Sequence, residues 1–498
     1  MPTKTKTKWT SSRRSGILLP IFSLPSPYGI GTFGKAAYQF LDFLKAAGQS
    51  YWQVLPLGPV GKGHSPYSSP SSFAGNPLFI DWDLLTDKGL LMPDECAALK
   101  PIEFDKIDYL RMIERSGEVL RLAFTRVTPD MVAKVERFRH SHHWAEDYAL
   151  YEAIRAEDSR HWYEWPEGLK RRDPAALSTA RERLRGDIAY RLFTQWLFFE
   201  QWSALKAYAN VNGIAIVGDI PIYAAMDSAD VWANPGLFEL DEDLNPIEES
   251  GCPPDFFNAD GQLWENPIYR WDVMQQDGYD WWVRRLGAVA ELFDVTRIDH
   301  FRGLEAFYAI PGGETTARNG QWRPGPGYPF FETINKALGN PEVIAEDLGD
   351  ITSAVKRLLK RTGYPGMKVL QFAFNPGADS EYLPHKYERN CVVYTGTHDN
   401  DTSLGYFANA PAKERRFARQ YLNMGRQASV PWTMIRAAWS STANTAIAPI
   451  QDFLELGSEA RVNVPGIAEG NWSWRMKPGA LTDELADKIR VLTELYGR

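Results

Sequence analysis

Four short apolar runs in this chain end on, or run straight into, a carboxylate. Asp219 closes IAIVGD (214–219), Asp299 closes DVTRID (294–299), Glu346 follows VIA in EVIAED (342–347), and Asp399 lies just past CVVYTGT (391–397). The spacing between successive acids leaves room each time for a strand, a helix and a loop. One such acid alone is ordinarily an N-cap or a turn residue. Here each sits where desolvation is costly unless the group is paired or used. A (β/α)8 barrel, an α/β fold, brings the C-terminal ends of all its strands to one face, where four such acids can share a cleft. Arg297 lies two residues before Asp299, so on a strand both point the same way, and the arginine would keep that carboxyl ionised.

The rest of the chain keeps this rhythm. KAAYQFLDFLKAAG (35–48) places Phe40, Leu41, Leu44 and Ala47 on one helical stripe, stops at Gly48, and leads at once into the apolar run YWQVLPL (51–57). Between about 84 and 205 helical patterns dominate, as in 108–127 and 182–213. A helix is expected through 281–293, a strand at 367–374, and a last amphipathic helix over 481–496 opened by Thr482 or Asp483. ARNGQWRPGPG (317–327) is dense enough in Gly and Pro to read as loop. The expected organisation is a flexible tail over 1–14 and a catalytic TIM barrel over 15–498. The barrel is interrupted by a mainly helical insertion at about 84–190 and by long loops at about 232–271 and 312–330, with no separate C-terminal β-sandwich.

Composition excludes several classes. Fifty-five Lys and Arg against 63 Asp and Glu give a net charge of −8, which offers no general field to nucleic acid or an anionic membrane. Cys96, Cys252 and Cys391 lie far apart, so neither a disulfide scaffold nor a structural zinc site is expected. GILLPIF (16–22) is too short to span a membrane, contains Pro20 and lacks a small-x-small cleavage pattern after it, which points to a soluble, cytoplasmic protein. GIGTFG (29–34) matches a dinucleotide fingerprint by letters only. No strand precedes it and no acid follows about 20 residues on, so it reads as a turn into the 35–48 helix. His398, Asp399 and Asp401 crowd too closely to converge on one metal without a distant ligand, and hydrogen bonding to substrate is the better reading. Eighteen tryptophans serve a large core first, but windows such as EGNWSWR (469–475) also suit a cleft in which sugar C–H faces stack on rings.

Retaining cleavage of a glycoside needs one carboxylate as nucleophile and a second as proton donor about 5–5.5 Å away; a further carboxylate that grips sugar hydroxyls helps distort the ring. RIDHFRG (297–303), IAEDLG (344–349) and TGTHDND (395–401) resemble the catalytic blocks of the 4-α-glucanotransferases, the amylomaltases or disproportionating enzymes of the wider α-amylase clan. The stretches 65–81, 218–235, 251–269 and 457–475 agree, so the resemblance runs from about Gly16 to Arg475. It implies Asp299 as nucleophile, Glu346 as general acid/base and Asp399 as transition-state stabiliser. Asp219, Arg297 and His398 would complete the donor subsite, Tyr67 would stack on the sugar there, Trp264 would belong to a loop over the glucan channel, and Asn463 would touch sugar. It further implies no cofactor and no metal, α-1,4-glucans and maltooligosaccharides as partners, and a monomer or weak homo-oligomer. A hydrolase using the same acids and an inactive glucan-binding barrel are the rivals that activity measurements distinguish.

Overall fold

The computed structural model describes residues 12–254, 258–377, 379–467 and 469–498. Residues 1–11 of the expected tail and 255–257 of the expected 232–271 loop lie outside the described residues. Eight strands form one parallel sheet that follows the chain around a barrel. They are β1 (Arg14–Leu18), β2 (Tyr51–Gln53), β3 (Ala215–Ile220), β4 (Val295–Ile298), β5 (Val343–Ala345), β6 (Gly366–Val369), β7 (Cys391–Tyr394) and β8 (Thr445–Pro449). β1 pairs with both β2 and β8. At the β5–β6 seam no ladder forms; Ala345 N–H donates to Pro365 O at 2.9 Å, and Met367 N–H donates to the Asp347 carboxylate at 2.6 Å. The side chain of Asp347 thus stands in for a missing strand contact.

Strand parity fills the barrel. Leu18, Tyr51, Val217, Val295, Ile344 and Val392 point inward and pack together. Gly16 faces the same interior, and a Cβ there would come within 2.4 Å of the Tyr51 Cβ, so only glycine lets β1 approach β2 so closely. The next inward positions toward the C-terminal end are Asp219 and Arg297, two residues beyond Val217 and Val295, so the same alternation that builds the core delivers polar groups to the catalytic face.

Outside lie the helices. Lys35–Ala46 buries Phe40, Leu41 and Leu44, with Gly34 at its N-cap and the glycine-rich turn leading into it. Between β2 and β3 come helices Tyr109–Phe124, Pro129–Ser141, Ala145–Glu157 and Pro174–Arg183. Thr128 and Asp173 cap two of these ahead of a proline at N1, where its missing N–H costs nothing. The 27-residue helix Arg185–Val211 then returns the chain to β3. Asp483–Leu495, capped by Thr482, closes the order. No helix among the described residues is long and apolar enough to cross a membrane.

Four expectations are corrected. Arg14 is no part of a tail: it opens β1, and its N–H donates to Asn444 O at 2.8 Å. The 367–374 run is strand only to Val369 and then turns as a 3-10 helix over Leu370–Ala373. The Gly- and Pro-rich 317–327 stretch contains a strand, Gln321–Pro324, paired antiparallel with Ala306–Pro311. It lies at the edge of a second sheet, where the N–H that a proline lacks is not needed. That sheet continues through Glu248–Cys252 to Gln262–Pro267, so the 232–271 segment also carries two strands.

Candidate active site

The four acids lie at the ends of β3, β4, β5 and β7, and neighbouring side chains join three of them, Asp219, Asp299 and Asp399, into one network. Arg297 is its hub. Its Nη1 donates to Asp219 Oδ2 at 2.6 Å and its Nη2 to Asp299 Oδ1 at 2.8 Å. Burial works against a charge here, but Asp219 and Asp299 more than offset it and keep the guanidinium protonated. The Tyr67 hydroxyl donates to Asp219 Oδ2 at 2.8 Å and lies 2.9 Å from His398 Nε2. Burial pushes the His398 pKa down, so its ring is neutral. With the Tyr67 proton committed to Asp219, proton inventory assigns the His398 proton to Nε2, directed at the Tyr67 oxygen and at Asp399 Oδ1, 3.3 Å away. Asn463 Nδ2 donates to that same Asp399 Oδ1 at 2.6 Å.

Exposure sorts the acids. The Asp219 side chain is wholly buried, whereas those of Asp299 and Asp399 are 30% and 39% exposed. Asp219 therefore serves the network from within, while Asp299 and Asp399 face the open cleft. Glu346 is buried, with Oε1 accepting from Leu348 N–H and Oε2 from His300 N–H, each at 2.7 Å. His300 can aim its N–H there because it takes the left-handed conformation, φ 50°, immediately after Asp299. Burial raises the pKa of both Asp299 and Glu346; Arg297 opposes this, and neighbouring carboxylates add to it. The pair accordingly holds a proton above the ordinary carboxylate range. The guanidinium at 2.8 Å favours Asp299 as the anion, and Glu346 is left as the proton's site.

Seven of the nine residues singled out from sequence are thus joined to one another directly by hydrogen bonds or ion pairs, while Glu346 is held beside them by two backbone N–H groups. Trp264 is the other exception. It stands on the strand Gln262–Pro267 with its ring edge-on to His300, centroids 4.9 Å apart, and so borders the Glu346 side through the residue whose N–H holds that carboxylate. Tyr67 lies parallel to the His398 ring at 5.3 Å, so the offset stack covers part of one ring face. Sequence reasoning missed Arg461, which donates to the carbonyls of Asp399 and Asn463, and the ring of Trp472, which tilts against Tyr67 and His398. Arg461 lies two residues before Asn463, as Arg297 does before Asp299, and Trp472 falls in the aromatic window already noted. Among the described residues no His, Cys, Asp and Glu group could hold a metal ion.

Carboxylates graded by exposure around a buried arginine, with aromatic rings beside them, suit acid/base and nucleophilic work on a sugar. A family profile for 4-alpha-glucanotransferase matches residues 19–482. The chain is 46% identical to the 4-alpha-glucanotransferase of Clostridium butyricum over 484 residues, covering 96% of this chain and 99% of that one. It is 45% identical to the Thermus thermophilus enzyme of the same name, over 98% of this chain and 99% of the relative. Among solved structures, the amylomaltase from Streptococcus agalactiae in complex with acarbose matches with a TM-score of 0.96 and 38% identity, over 98% and 99% of the two chains. With the barrel and the resembling blocks thus matched over nearly its whole length, the chain belongs to the 4-alpha-glucanotransferase family.

Proposed function

We propose that this glucanotransferase works by double displacement, with Asp299 as nucleophile, Glu346 as acid and then base, and Asp399 as the group that grips the distorted donor sugar. The observation that carries the reading is the Arg297 fork. It holds Asp299 Oδ1 and leaves Oδ2 free to attack from a carboxylate kept ionised. In the first step Asp299 Oδ2 forms a bond to C1 of the donor glucose, the C1–O4 bond breaks, and the Glu346 proton passes to the departing O4. In the second, Glu346 takes the proton of an acceptor 4-hydroxyl, whose oxygen displaces Asp299 from C1. Two inversions restore the α configuration. Asp399, tied by Asn463 and facing the cleft, is placed to accept from sugar hydroxyls, and Tyr67 presents its ring beside them. Trp264 borders the acceptor side, where holding glucan in preference to water decides transfer over hydrolysis.

The test is purified protein with maltotriose, following the product ladder and total reducing ends, with Asp299→Asn alongside. Glucose plus maltopentaose and longer chains at nearly constant reducing ends, lost in the variant, is the expected result. Rising reducing ends without longer products would reassign the chain as a hydrolase. Undiminished transfer by Asp299→Asn would remove the nucleophile assignment.

A further inference from the structure

Arg297 carries five N–H donors, and the two carboxylates account for only part of them. Its Nε donates to Sδ of Met367 at 3.4 Å. Met367 is fully buried on β6, its side chain inside the barrel. Its own backbone is pinned at the β5–β6 seam, where its N–H donates to Asp347 Oδ1. The thioether is therefore held from behind by a contact independent of the arginine.

We propose that Met367 is a positioning residue for the transfer reaction: by accepting from Nε it fixes the guanidinium plane so that Nη1 meets Asp219 while Nη2 meets Asp299. This rests on the reading of Asp299 as nucleophile. A planar cation held only through its two Nη groups, by carboxylates on two different strands, can swing toward either one. A third contact at Nε removes that freedom. Sulfur is suited to the place because it is a weak, neutral acceptor that satisfies a buried N–H without competing for the charge. A carboxylate there would draw the guanidinium away from Asp299, and an aliphatic side chain would leave the N–H buried and unpaired.

The experiment compares the full-length protein with Met367→Leu, of similar volume and no acceptor, and Met367→Gln, whose amide oxygen can accept. Disproportionation of maltotriose is followed across pH, with Tm recorded. In Met367→Leu, kcat is expected to fall about tenfold with KM little changed, and the acidic limb of the kcat profile to move up by roughly half a unit, because Asp299 is less well held as the anion. Met367→Gln is expected to recover about half of the lost log rate and to return the limb toward its original place. A leucine variant with parental kcat and an unmoved limb overturns the inference. So does a loss that glutamine fails to recover while the limb stays put, since that is packing alone. Asp299→Asn, run alongside, keeps the two readings apart. If it is inactive and leucine is silent, only Met367 is misassigned; if it retains transfer, the nucleophile reading fails and this inference with it.

Discussion

Replacing Arg297 by lysine keeps the positive charge and removes the fork. The guanidinium side chain is 3% exposed and meets Asp219 at 2.6 Å and Asp299 at 2.8 Å. An ammonium on a flexible stem reaches one carboxylate at a time. Removing one partner of a buried pair costs about 3–5 kcal/mol. The charge survives here and the Asp299 side chain is 30% exposed, hence partly hydrated, so about six-tenths of that cost, roughly 2–3 kcal/mol, is the reasonable figure. A chain of 498 residues unfolds with an entropy of about 1 kcal/mol per degree, so Tm drops by only about 2–3 °C and the protein stays folded. The same 2–3 kcal/mol missing from the transition state lowers kcat/KM about 30- to 160-fold. The acidic limb of the pH profile moves upward as well, because Asp299 loses the partner that favours its anion. Maltotriose disproportionation across pH, with thermal melts of both proteins, reads all three quantities. A lysine variant within about threefold of the parent, with its acidic limb unmoved, would refute the claim that the fork rather than the bare charge organises the site.

Other outcomes are as specific. Activity should fall on the alkaline side once the proton shared by Asp299 and Glu346 is lost, and Glu346→Gln should flatten that limb along with the rate; a parental alkaline limb in the variant would remove Glu346 from the proton transfer. Asn463→Leu removes the 2.6 Å contact to Asp399 and should lower kcat/KM about tenfold with an unchanged Tm; an unchanged rate would place that contact outside the reaction. Asp230 is buried, and burial pushes its pKa above the ordinary carboxylate range, up to about 6. Its ionisation in the folded protein is therefore unfavourable: stability is highest below the unfolded pKa and is lost as pH rises through about 6. Asp230→Asn, whose amide oxygen can still accept from Ser72 N–H, should raise Tm by up to about 2–3 °C at pH 8 and by nothing near pH 4; melts showing a pH-independent difference would contradict this. Arg498 donates to the carbonyls of Arg14, Ala438, Trp439, Ser441, Ala443 and Asn444, so Arg498→Ala should lower Tm by about 3 °C while leaving kcat unchanged; an unmoved Tm would mean that water replaces those bonds without loss.

The parts of the fold legible in the sequence were those where one period dominates a window. Helix Lys35–Ala46 shows a clean 3.6-residue stripe, and β3 and β7 are continuous apolar runs, as strands buried on both faces should be. The four acids stood out because each interrupts such a run. β1 and β8 were hidden for opposite reasons. RSGIL in β1 begins with arginine and serine and resembles the end of a tail, although Arg14 already pairs across to Thr445. TAIAP in β8 is alanine-rich and ends in proline, and only its neighbours on both sides make it a strand. Within the site, carboxylates and aromatic rings can be read from residue type. The left-handed turn at His300, the Arg461 bonds to two carbonyls and the sulfur contact to Arg297 cannot, because each depends on where a backbone atom or an inconspicuous side chain arrives after folding.

The pairing of β1 with β8 has a kinetic consequence. Arg14 and its partner Thr445 are about 430 residues apart, so the ring is completed only after nearly the whole chain has been synthesised. At about 5–20 residues per second, one side of β1 waits roughly 20–90 s for its partner, an open sheet edge of the kind that recruits other chains. The charges of Arg13 and Arg14 at the head of that strand are the sort of residue that discourages such recruitment, and they become structural once the edge is taken. The serine and arginines that made β1 look like a tail are then features of a strand that must stay soluble while it waits.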